Sequence, residues 1–459
     1  MASKLWGSRF TGSLSKLSEK FTHSISYDSK LALYDCIASL AHAQMLGEQG
    51  IIPKKDASAI TAGLKTLIKM VEDGKYTYDP ASEDIHTDIQ IKLRKLVGQP
   101  ADKLHTARSR NDQVVTDVRL YCMDQLDTIV ALVEALQIAL VNFADKNQDV
   151  IIPAYTHLQS AQVVLLSHQM LAYVEMLERD KGRFEDAKRR TNINTLGACA
   201  LAGTSLPTDR DFVTEKLGFA VTAANSIDCV SDRDFIIEIM ATSAIAGMHL
   251  TRMCEDLILW VTNEFNFIAL DDAFCTGSSI MPHKKNPDVL ELVRGTASKF
   301  PGRLVELLML MKGLPMTYNR DMQMDKPALF DCIETMEDLL EIMAQVFSGG
   351  IKIKRDVLKD KITSEYFFSV DILDYLVKKG VSYRDAHDTV GAMVKECLDH
   401  GRKISDMNVA QLKRYSMHFE DDMRNLLRPE VSIQIKKSIG STNPDMVKAQ
   451  INKWKKRLK

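Results

Sequence analysis

Apolar residues recur at three- and four-residue steps over long stretches that contain no glycine or proline. Within 114–143, the apolar positions that follow this spacing are Val115, Val118, Met123, Leu126, Ile129, Val130, Val133, Leu136 and Leu140. The stretches that lack both helix-breaking residues are 101–152, 158–181, 220–246, 248–276 and 328–348. Such spacing is typical of amphipathic helices, whereas strands alternate apolar and polar positions. The pattern therefore predicts an all-α protein.

The segment 236–260 is apolar around most of a helix circumference instead of along one stripe. Its apolar positions include Ile236, Ile237, Ile239, Met240, Ile245, Met248, Leu250, Leu257, Ile258, Leu259 and Trp260. A helix of that kind is buried on several sides. In helices this long, such burial indicates packing within a bundle and against other subunits. Periodicity alone thus predicts an oligomer without giving the number of subunits.

Two breaks in the pattern predict domain borders. The first lies near Leu104, after the sequence VGQP, and the second lies near Arg355, after a pair of glycines. We therefore predict an N-terminal helical domain of residues 1–104, a central long-helix domain of residues 105–355 and a C-terminal helical domain of residues 356–459. A chain of 459 residues is long enough for about three domains.

Composition argues against several classes of partner. Charged residues make up 26% of the chain and the formal net charge is −2, so no bulk electric field favours nucleic acid or an anionic membrane. The N-terminal residues form no apolar signal segment, and no apolar run is expected to cross a bilayer. The eight cysteines show no Cys-x-x-Cys spacing and the eleven histidines no metal-binding cluster. We therefore predict reduced thiols, a cytoplasmic location and no metal site.

The most informative segment is 277–287, which reads GSSIMPHKKNP. It combines two hydroxyls, a cation and an amide in a loop that begins with a flexible glycine and ends with a rigid proline. Part of it has a structural explanation, because Asn286 is predicted to cap a helix that has Pro287 at its first position and Asp288 near the positive end of its dipole. The cap does not explain the paired serines or Lys284. Those residues predict a loop that closes over a small anion.

This segment resembles the signature of the fumarase/aspartase superfamily, whose members cleave C–N or C–O bonds and release fumarate. Three further motifs resemble its argininosuccinate lyase branch, namely LWGSRF at 5–10, EDIHT at 83–87 and KLHTARSRNDQ at 103–113. The resemblance implies an all-α, three-domain fold of the fumarase/aspartase type, with a long central helical bundle shared in a homotetramer and active sites built from several chains. It also implies reversible elimination of the small-molecule substrate argininosuccinate to L-arginine and fumarate, without metal or organic cofactor, in arginine biosynthesis or the urea cycle.

Fumarate-forming elimination requires a base, a fixed cation, amide donors and an acid, because a weakly acidic proton leaves the carbon next to a carboxylate. The resemblance implies that Ser278 is the base, with a pKa lowered by Lys284, backbone N–H groups and loop closure. It further implies that Lys284 and Asn286 hold the carboxylate on which charge builds up. His157, paired with Glu291, matches a histidine placed near the acid step, and its exact proton transfer stays open.

The resemblance also implies two groups of substrate-binding residues. Ser109, Asn111 and Thr156 match positions that contact the succinyl half of the substrate. The positions that contact the arginine half are matched by Ser24, Asp84, Tyr318, Gln323 and Lys326. Arg110 and Arg233 match further active-site cations, and arginine forks at a helix N-terminus suit carboxylates. The alternative for Arg108 and Arg110 is an exposed, charged first turn of a helix.

Three positions depart from the family pattern. Ala107 and Cys199 stand where glycine is usual, and Val163 replaces a common proline. Because alanine disfavours positive φ, we predict that the turn at Ala107 has ordinary backbone angles.

Three alternative functions use the same residues. A hydrolase triad of Ser278, His157 and Glu291 is disfavoured, because the serine lacks a Gly-x-Ser-x-Gly elbow and the chain lacks strand–helix alternation. An adenylosuccinate lyase-like enzyme also often carries the MPHK sequence, but RSRNDQ at 108–113 and YNRDMQ at 318–323 favour the arginine-type substrate. A non-catalytic, crystallin-like structural protein would retain the fold, but it has no need of the matched polar residues.

Overall fold

The computed structural model describes residues 15–459, and helices predominate throughout that range. Helices make up 68% of the structure, which confirms the prediction of an all-α protein. The opening LWGSRF motif at 5–10 lies outside the described residues.

The nineteen α-helices of the described residues, labelled α1 to α19 in chain order, are Lys16–Thr22, Ile25–Asp28, Ala32–Glu48, Lys54–Glu72, Ile85–Val97, Arg110–Lys146, Leu166–Thr191, Arg210–Leu217, Ser226–Ser231, Asp234–Val261, Asp288–Thr296, Lys299–Met311, Asp325–Gln345, Arg355–Lys361, Ser369–Lys378, Tyr383–Asp399, Val409–Tyr415, Pro429–Gln434 and Pro444–Arg457. The eight strands, β1 to β8, are Ile151–Thr156, Gln159–Leu165, Ile193–Asn194, Val221–Thr222, Ile268–Leu270, Thr276–Gly277, Lys285–Asn286 and Ile351–Ile353.

The four longest helices are α6, α7, α10 and α13, and each coincides in large part with a stretch of predicted helical periodicity. In α6 the periodic residues Leu126, Ile129 and Val133 are fully buried. Helix α10 continues through Gly247, so parts of two glycine-free stretches, 220–246 and 248–276, form one helix. Tertiary packing of a long apolar face outweighs the roughly 1 kcal/mol that one glycine costs a helix.

The strands form four separate pairs and no larger sheet among residues 15–459. Strands β1 and β2 form an antiparallel hairpin, β3 and β4 a parallel pair, and β5 pairs antiparallel with β8. Strands β6 and β7 pair antiparallel, with Thr276 opposite Asn286 and Gly277 opposite Lys285. The pairs therefore fix loops between helices instead of forming a sheet core.

The chain divides into two compact units that interleave along the sequence. Among the described residues, the first unit comprises residues 15–131, 180–247 and 298–337, and the second comprises 132–179, 248–297 and 338–459. The domain borders at Leu104 and Arg355 stay predictions.

The first unit has an aromatic core between α3, α6 and α13. The rings of Tyr34 and Tyr121 meet edge to face at 5.6 Å, and Tyr121 meets Phe330 at 4.9 Å. Helices α3 and α4 approach closely at Gly47, where an added Cβ would lie 2.5 Å from the Cβ of Ala57. A larger residue at Gly47 would therefore force the two helices apart.

The second unit has a separate core in its C-terminal helices. Ile372 and Leu376 of α15 are fully buried with Met393 of α16 and Phe419. Elsewhere in this unit, Phe143 and Phe347 meet edge to face at 5.9 Å.

Helix α6 corrects the expectation that no segment could span a membrane. By length and composition alone, this helix contains an 18-residue window that is apolar enough to cross a membrane, and half of that window is buried within the chain. Core helices of soluble proteins pass the same test.

Candidate active site

The N-terminus of α6 carries three of the predicted site residues. Ser109 precedes the helix, and its Oγ accepts a hydrogen bond from Asn111 N at 3.2 Å. The Oδ1 of Asp112 in turn accepts a bond from Ser109 N at 2.9 Å. This reciprocal arrangement is similar to a capping box. Ser109, Arg110 and Asn111 therefore lie where a helix dipole attracts anions.

The second carboxylate oxygen of Asp112 reaches a different segment of the chain. Its Oδ2 accepts hydrogen bonds from Gly197 N at 2.9 Å and Cys199 N at 2.7 Å. Asn111 Nδ2 also donates to Ala200 O at 3.1 Å. Burial raises the pKa of Asp112 to about 6, although its three backbone donors and Arg108 oppose that shift.

The prediction of ordinary backbone angles at Ala107 is wrong. Ala107 and Cys199 both have φ of 55°, in the left-handed region that costs an L-residue roughly 1–2 kcal/mol. The two residues are in contact, because Cys199 Sγ lies 3.3 Å from Ala107 O. Surrounding hydrogen bonds thus impose the glycine-like geometry on residues that disfavour it. The third departure, Val163, is buried in β2 opposite Pro153.

Arg110 is held by the start of α5. Its Nε lies 3.1 Å from Asp84 Oδ2, and its Nη2 donates to Thr87 Oγ1 at 3.3 Å. Asp84 also caps α5, because its Oδ1 accepts a bond from Thr87 N at 2.7 Å. Although burial favours protonation of Asp84, Arg110 holds the pKa of this carboxyl below its usual range. The structure therefore brings together two predicted substrate-binding residues.

Arg233 and Lys326 share a carboxylate that the sequence did not single out. Arg233 Nε lies 2.5 Å from Asp325 Oδ2, and Lys326 Nζ lies 2.7 Å from Asp325 Oδ1. All three side chains are at most 4% exposed. Although burial opposes ionisation, the two cations hold the pKa of Asp325 below its usual range. Arg233 Nη2 has no hydrogen-bond partner in the described part of the chain, so the group retains an excess positive charge and a donor.

The remaining residues predicted to contact the arginine half lie in the same unit. Ser24 Oγ donates to Asp28 Oδ2 at 2.5 Å, and Gln323 Nε2 donates to Thr22 O at 3.2 Å. Burial raises the pKa of Tyr318, and the negative charges of Asp325 and, to a smaller extent, Asp84 raise it further. Tyr318 therefore lies near both carboxylates that hold the site cations.

Tyr27 and Asp28 join this group without having been predicted. Burial raises the pKa of Tyr27 to about 12, Gln323 is its hydrogen-bond partner, and Asp28, Asp325 and Tyr318 are nearby. Asp28 Oδ1 accepts a bond from Ile85 N at 3.1 Å. The sequence signal for both residues is their position one helical turn beyond Ser24, which periodicity alone interprets as ordinary packing.

A second buried charge network lies between α3, α5 and α6. His86 Nδ1 is 2.6 Å from Asp35 Oδ2 and 3.4 Å from Asp117 Oδ2. These three side chains could hold a metal ion by their donor types, a grouping that spacing along the sequence did not reveal. However, Arg108 lies in the same network. Burial opposes the ionisation of Asp35, but the nearby His86 and Arg108 together lower the pKa of the Asp35 carboxyl. A resident cation thus already offsets the carboxylates.

In the second unit, Thr156 and His157 lie at the tip of the β1–β2 hairpin. Thr156 pairs with Gln159, which leaves His157 and Leu158 as a two-residue turn. Both have φ of 55°, the geometry of a type I′ turn that strongly prefers asparagine and glycine. Thr156 and His157 are exposed, and Leu158 is 68% exposed. The hairpin thus presents His157 to solvent on a strained turn.

The signature loop is closed at its base by β6 and β7. Ser278 Oγ accepts hydrogen bonds from Met281 N at 3.0 Å and Ile280 N at 3.3 Å. Lys284 Nζ donates to Asn286 Oδ1 at 2.7 Å. The loop therefore directs two backbone donors at the Ser278 hydroxyl and places the Lys284 ammonium group in contact with the Asn286 side-chain amide.

The predicted helix cap at Asn286 is wrong. Helix α11 begins at Asp288, its N-cap is Pro287, and no side chain caps it. Asn286 instead lies in β7, because pairing with Thr276 offers its backbone alternative hydrogen bonds. Asp288 Oδ2 accepts bonds from Thr276 N at 3.1 Å and Thr276 Oγ1 at 2.5 Å. This side chain thus fastens the loop base.

The structure does not bring all the predicted catalytic residues into contact within one chain. Glu291 is exposed in the first turn of α11. Across residues 15–459, no hydrogen bond or ion pair joins His157 to Glu291 or to Ser278. The first unit holds Ser24, Asp84, Ser109, Arg110, Asn111, Arg233, Tyr318, Gln323 and Lys326, and the second holds Thr156, His157, Ser278, Lys284, Asn286 and Glu291.

Known families match most of this chain. A lyase family model matches residues 8–302, and a model of the argininosuccinate lyase C-terminal region matches residues 366–434. An argininosuccinate lyase of Geobacter metallireducens is 46% identical over 452 residues, which cover 98% of each chain. The chloroplastic argininosuccinate lyase of Arabidopsis thaliana is 45% identical, over 99% of this chain and 88% of its own.

Solved structures share the fold. EDDS lyase in complex with formate aligns with a TM-score of 0.83 at 27% identity, over 98% of this chain and 91% of its own. A fumarate lyase from Mesorhizobium sp. BNC1 aligns with a TM-score of 0.74 at 17% identity, over 94% and 99%. The second likeness concerns the fold alone.

Proposed function

The chain belongs to the argininosuccinate lyase family, and on that premise we propose how its residues carry out the reaction. The reaction is the reversible elimination of argininosuccinate to L-arginine and fumarate, catalysed by a carbon–nitrogen lyase.

Ser278 is proposed as the base that removes the proton from the carbon next to the succinyl carboxylate. The observation that carries this role is the pair of backbone N–H groups, of Ile280 and Met281, that donate to Ser278 Oγ. A free hydroxyl is a poor base, but hydrogen bonds to its charged form lower its pKa. Gly277 leaves the loop able to close, and loop closure would exclude water and strengthen the same interactions.

Lys284 and Asn286 are proposed to stabilise the carboxylate that gains charge in the transition state. The bond of 2.7 Å between their side chains supports this role, because it orients the amide and places a point charge beside it. The resting contact is between these two residues, so substrate would have to replace the Asn286 oxygen as the acceptor. Stabilisation of developing charge by preorganised donors is usually the largest contribution to catalysis of this kind.

The first unit is proposed to bind substrate. Ser109, Asn111 and Arg110 offer donors and charge at a helix N-terminus for the succinyl carboxylates. The group around Asp325 would bind the arginine half of the substrate. Lys326 and Arg233 Nη2 would donate hydrogen bonds to the α-carboxylate of this half, and Asp84 would accept from its cationic guanidinium end.

His157 and Glu291 are proposed to complete the site from other subunits of a homotetramer. The exposed hairpin tip supports this proposal, since a strained turn that presents a histidine to solvent is otherwise unexplained. In the assembled site, Glu291 would fix the tautomer of His157 near the departing nitrogen. The identity of the final proton donor stays open.

The cellular setting is proposed to be the cytoplasm, and the pathway arginine biosynthesis or the urea cycle. All eight cysteines are free, and six of them are buried, which supports a reducing compartment. No metal or organic cofactor is part of the proposed mechanism.

The test of this function is release of fumarate, followed by ultraviolet absorbance, with argininosuccinate and adenylosuccinate as parallel substrates. We expect turnover of argininosuccinate alone, since both the C-terminal family match and the full-length relatives favour it over adenylosuccinate. Turnover of adenylosuccinate alone would contradict the proposal. A folded oligomer that is inactive on both substrates would favour the crystallin-like alternative.

A further inference from the structure

The carboxylate of Asp112 joins two segments of the first unit that are far apart in sequence. Its side chain is fully buried and accepts three backbone hydrogen bonds, from Ser109 on one side and from Gly197 and Cys199 on the other. Only the Ser109 bond belongs to the helix cap. The two bonds to Oδ2 therefore need an explanation that helix capping does not supply.

Each of the two segments contains a residue in the left-handed region that is not glycine. These residues, Ala107 and Cys199, have φ of 55° and contact each other through Cys199 Sγ and Ala107 O at 3.3 Å. A left-handed alanine or cysteine returns to ordinary angles unless surrounding contacts prevent it. The Oδ2 of Asp112 binds the N–H of Cys199 itself, and Oδ1 binds the N–H two residues after Ala107.

The same segments carry residues that face the proposed succinyl site. Ser109 follows Ala107 by two positions, and Asn111 Nδ2 donates to Ala200 O at 3.1 Å. A change of φ at Ala107 or Cys199 would move the Ser109 hydroxyl and the Asn111 amide together. Hydrogen-bond donors that are misplaced by about 1 Å lose much of their effect on a bound substrate.

We propose that Asp112 is a positioning residue for the succinyl half of the substrate, which holds Ser109 and Asn111 in place by keeping Ala107 and Cys199 left-handed. This inference rests on the succinyl-binding roles proposed above. Asp112 does not touch the substrate itself. It supplies through hydrogen bonds the geometry that glycines would adopt freely at positions 107 and 199.

The first test is direct titration of the full-length protein with fumarate, in the absence of arginine so that no turnover occurs. In Asp112→Asn the amide has one acceptor oxygen in place of two, so at least one of the three N–H groups loses its partner. We expect the Kd for fumarate to rise about tenfold, which corresponds to about 1.4 kcal/mol. An unchanged Kd in a variant that still unfolds cooperatively would overturn the proposal, even if its Tm is lowered by the lost hydrogen bond.

The second test separates positioning from a direct effect of charge. Ala107→Gly and Cys199→Gly, combined in the Asp112→Asn variant, remove the conformational penalty that Asp112 opposes. We expect the combined variant to recover most of the lost affinity for fumarate, although its charge remains changed. Failure to recover would show that Asp112 acts by its charge and would overturn the proposal.

A matched control comes from the second unit. Asp371 is also a buried carboxylate, 1% exposed, and it accepts bonds from Ser432 Oγ and Lys436 Nζ at 2.5 Å. Asp371→Asn should lower stability without changing the affinity for fumarate. A loss of affinity as large as that of Asp112→Asn would indicate a general effect of buried carboxylates and would contradict the proposal.

The pH dependence provides a readout that does not require Asp112→Asn to fold. The charged or titratable groups that face Asp112 are Arg108, Asp117 and Cys199. Since the pKa of Asp112 is raised to about 6, the affinity for fumarate should fall between about pH 7 and pH 5 as the carboxyl gains a proton and loses an acceptor. The Ala107→Gly, Cys199→Gly variant should be nearly insensitive over that range, and equal sensitivity in both proteins would contradict the proposal.

The failure of this inference is distinguishable from failure of the proposed function. Wild-type protein that neither turns over argininosuccinate nor binds fumarate contradicts both the function and the inference. Active wild-type protein whose affinity for fumarate does not depend on Asp112 contradicts the inference alone.

Discussion

At the scale of single residues, the candidate site is built around carboxylates that hold cations. Asp325 lies between Arg233 and Lys326 with all three side chains buried, and Asp84 holds Arg110. Buried cations without a partner are strongly destabilising. Each acid therefore stabilises the fold and also fixes the position of a group that is proposed to bind substrate.

Asp325→Asn is expected to lower the free energy of unfolding by about 3–5 kcal/mol at neutral pH, because two buried cations would lose their partner. The pKa of Asp325 is lowered in the folded protein, so its ionisation stabilises the fold above its unfolded pKa of about 3.9 and this contribution is lost as the pH falls further. Urea unfolding should show a constant difference in the free energy of unfolding between wild type and Asp325→Asn above about pH 5, and a smaller difference near pH 3. A difference that grows on acidification would contradict this assignment.

The site could be predicted from the sequence as a set of residue types, but not as a set of contacts. Ser278 and Lys284 were identifiable because the signature motif is local, whereas Asp325 carries no local signal. Asp112 lies within the motif RSRNDQ at 108–113, but nothing in that motif reveals its contacts with Gly197 and Cys199. The N–H groups that surround Asp112 come from positions 109, 197 and 199. Only folding brings such positions together.

At the scale of elements, helices were predictable and turns were not. The 3.6-residue period of α6 and α10 follows from burial of an apolar face, which the sequence records directly. The angles at Ala107 and the strand at Asn286 depend instead on partners from other segments. Local preference favoured ordinary angles and a helix cap, and tertiary hydrogen bonds outweighed both.

The β1–β2 turn offers a test of strain at one element. Leu158 has φ of 55° and is 68% exposed, so its side chain contributes little burial to offset the left-handed backbone. Leu158→Gly is expected to raise the free energy of unfolding by about 1 kcal/mol, because glycine adopts this region readily. Urea unfolding measures the change.

The control for this turn is Leu158→Ala, which removes the same side chain but keeps a Cβ. It should not stabilise the protein, because alanine has the same left-handed penalty. Equal stabilities of the glycine and alanine variants would mean that the turn stores no backbone strain.

At the scale of the whole molecule, apolar surface on the long helices supports assembly. Ile245 and Met248, three residues apart on α10, are 36% and 45% exposed. Residues at this spacing lie on one face of a helix. The sequence predicts that segment 236–260 packs against other subunits as well as within its own chain, and this exposed apolar face is available for such packing.

Met248→Lys is therefore expected to weaken the proposed homotetramer and reduce turnover, since His157 and Glu291 are proposed to reach the site from other subunits. Light scattering coupled to size-exclusion chromatography should show smaller species, with far-ultraviolet circular dichroism unchanged. A matched substitution at an exposed residue of α16, Leu398→Lys, should leave the assembly intact. Full activity in a monomeric Met248→Lys variant would exclude sites shared between subunits.

The most direct measurement of the central claim is kcat for argininosuccinate in Ser278→Ala, with Ser279→Ala as the neighbouring control. We predict that Ser278→Ala lowers kcat by ~10²–10⁴ or more, the usual contribution of a positioned acid–base group, while fumarate still binds and the assembly stays intact. Ser279→Ala should lower kcat far less, because no backbone donor is directed at its hydroxyl in the described structure. Near-normal turnover by a folded Ser278→Ala variant would remove this residue from the mechanism and contradict the account.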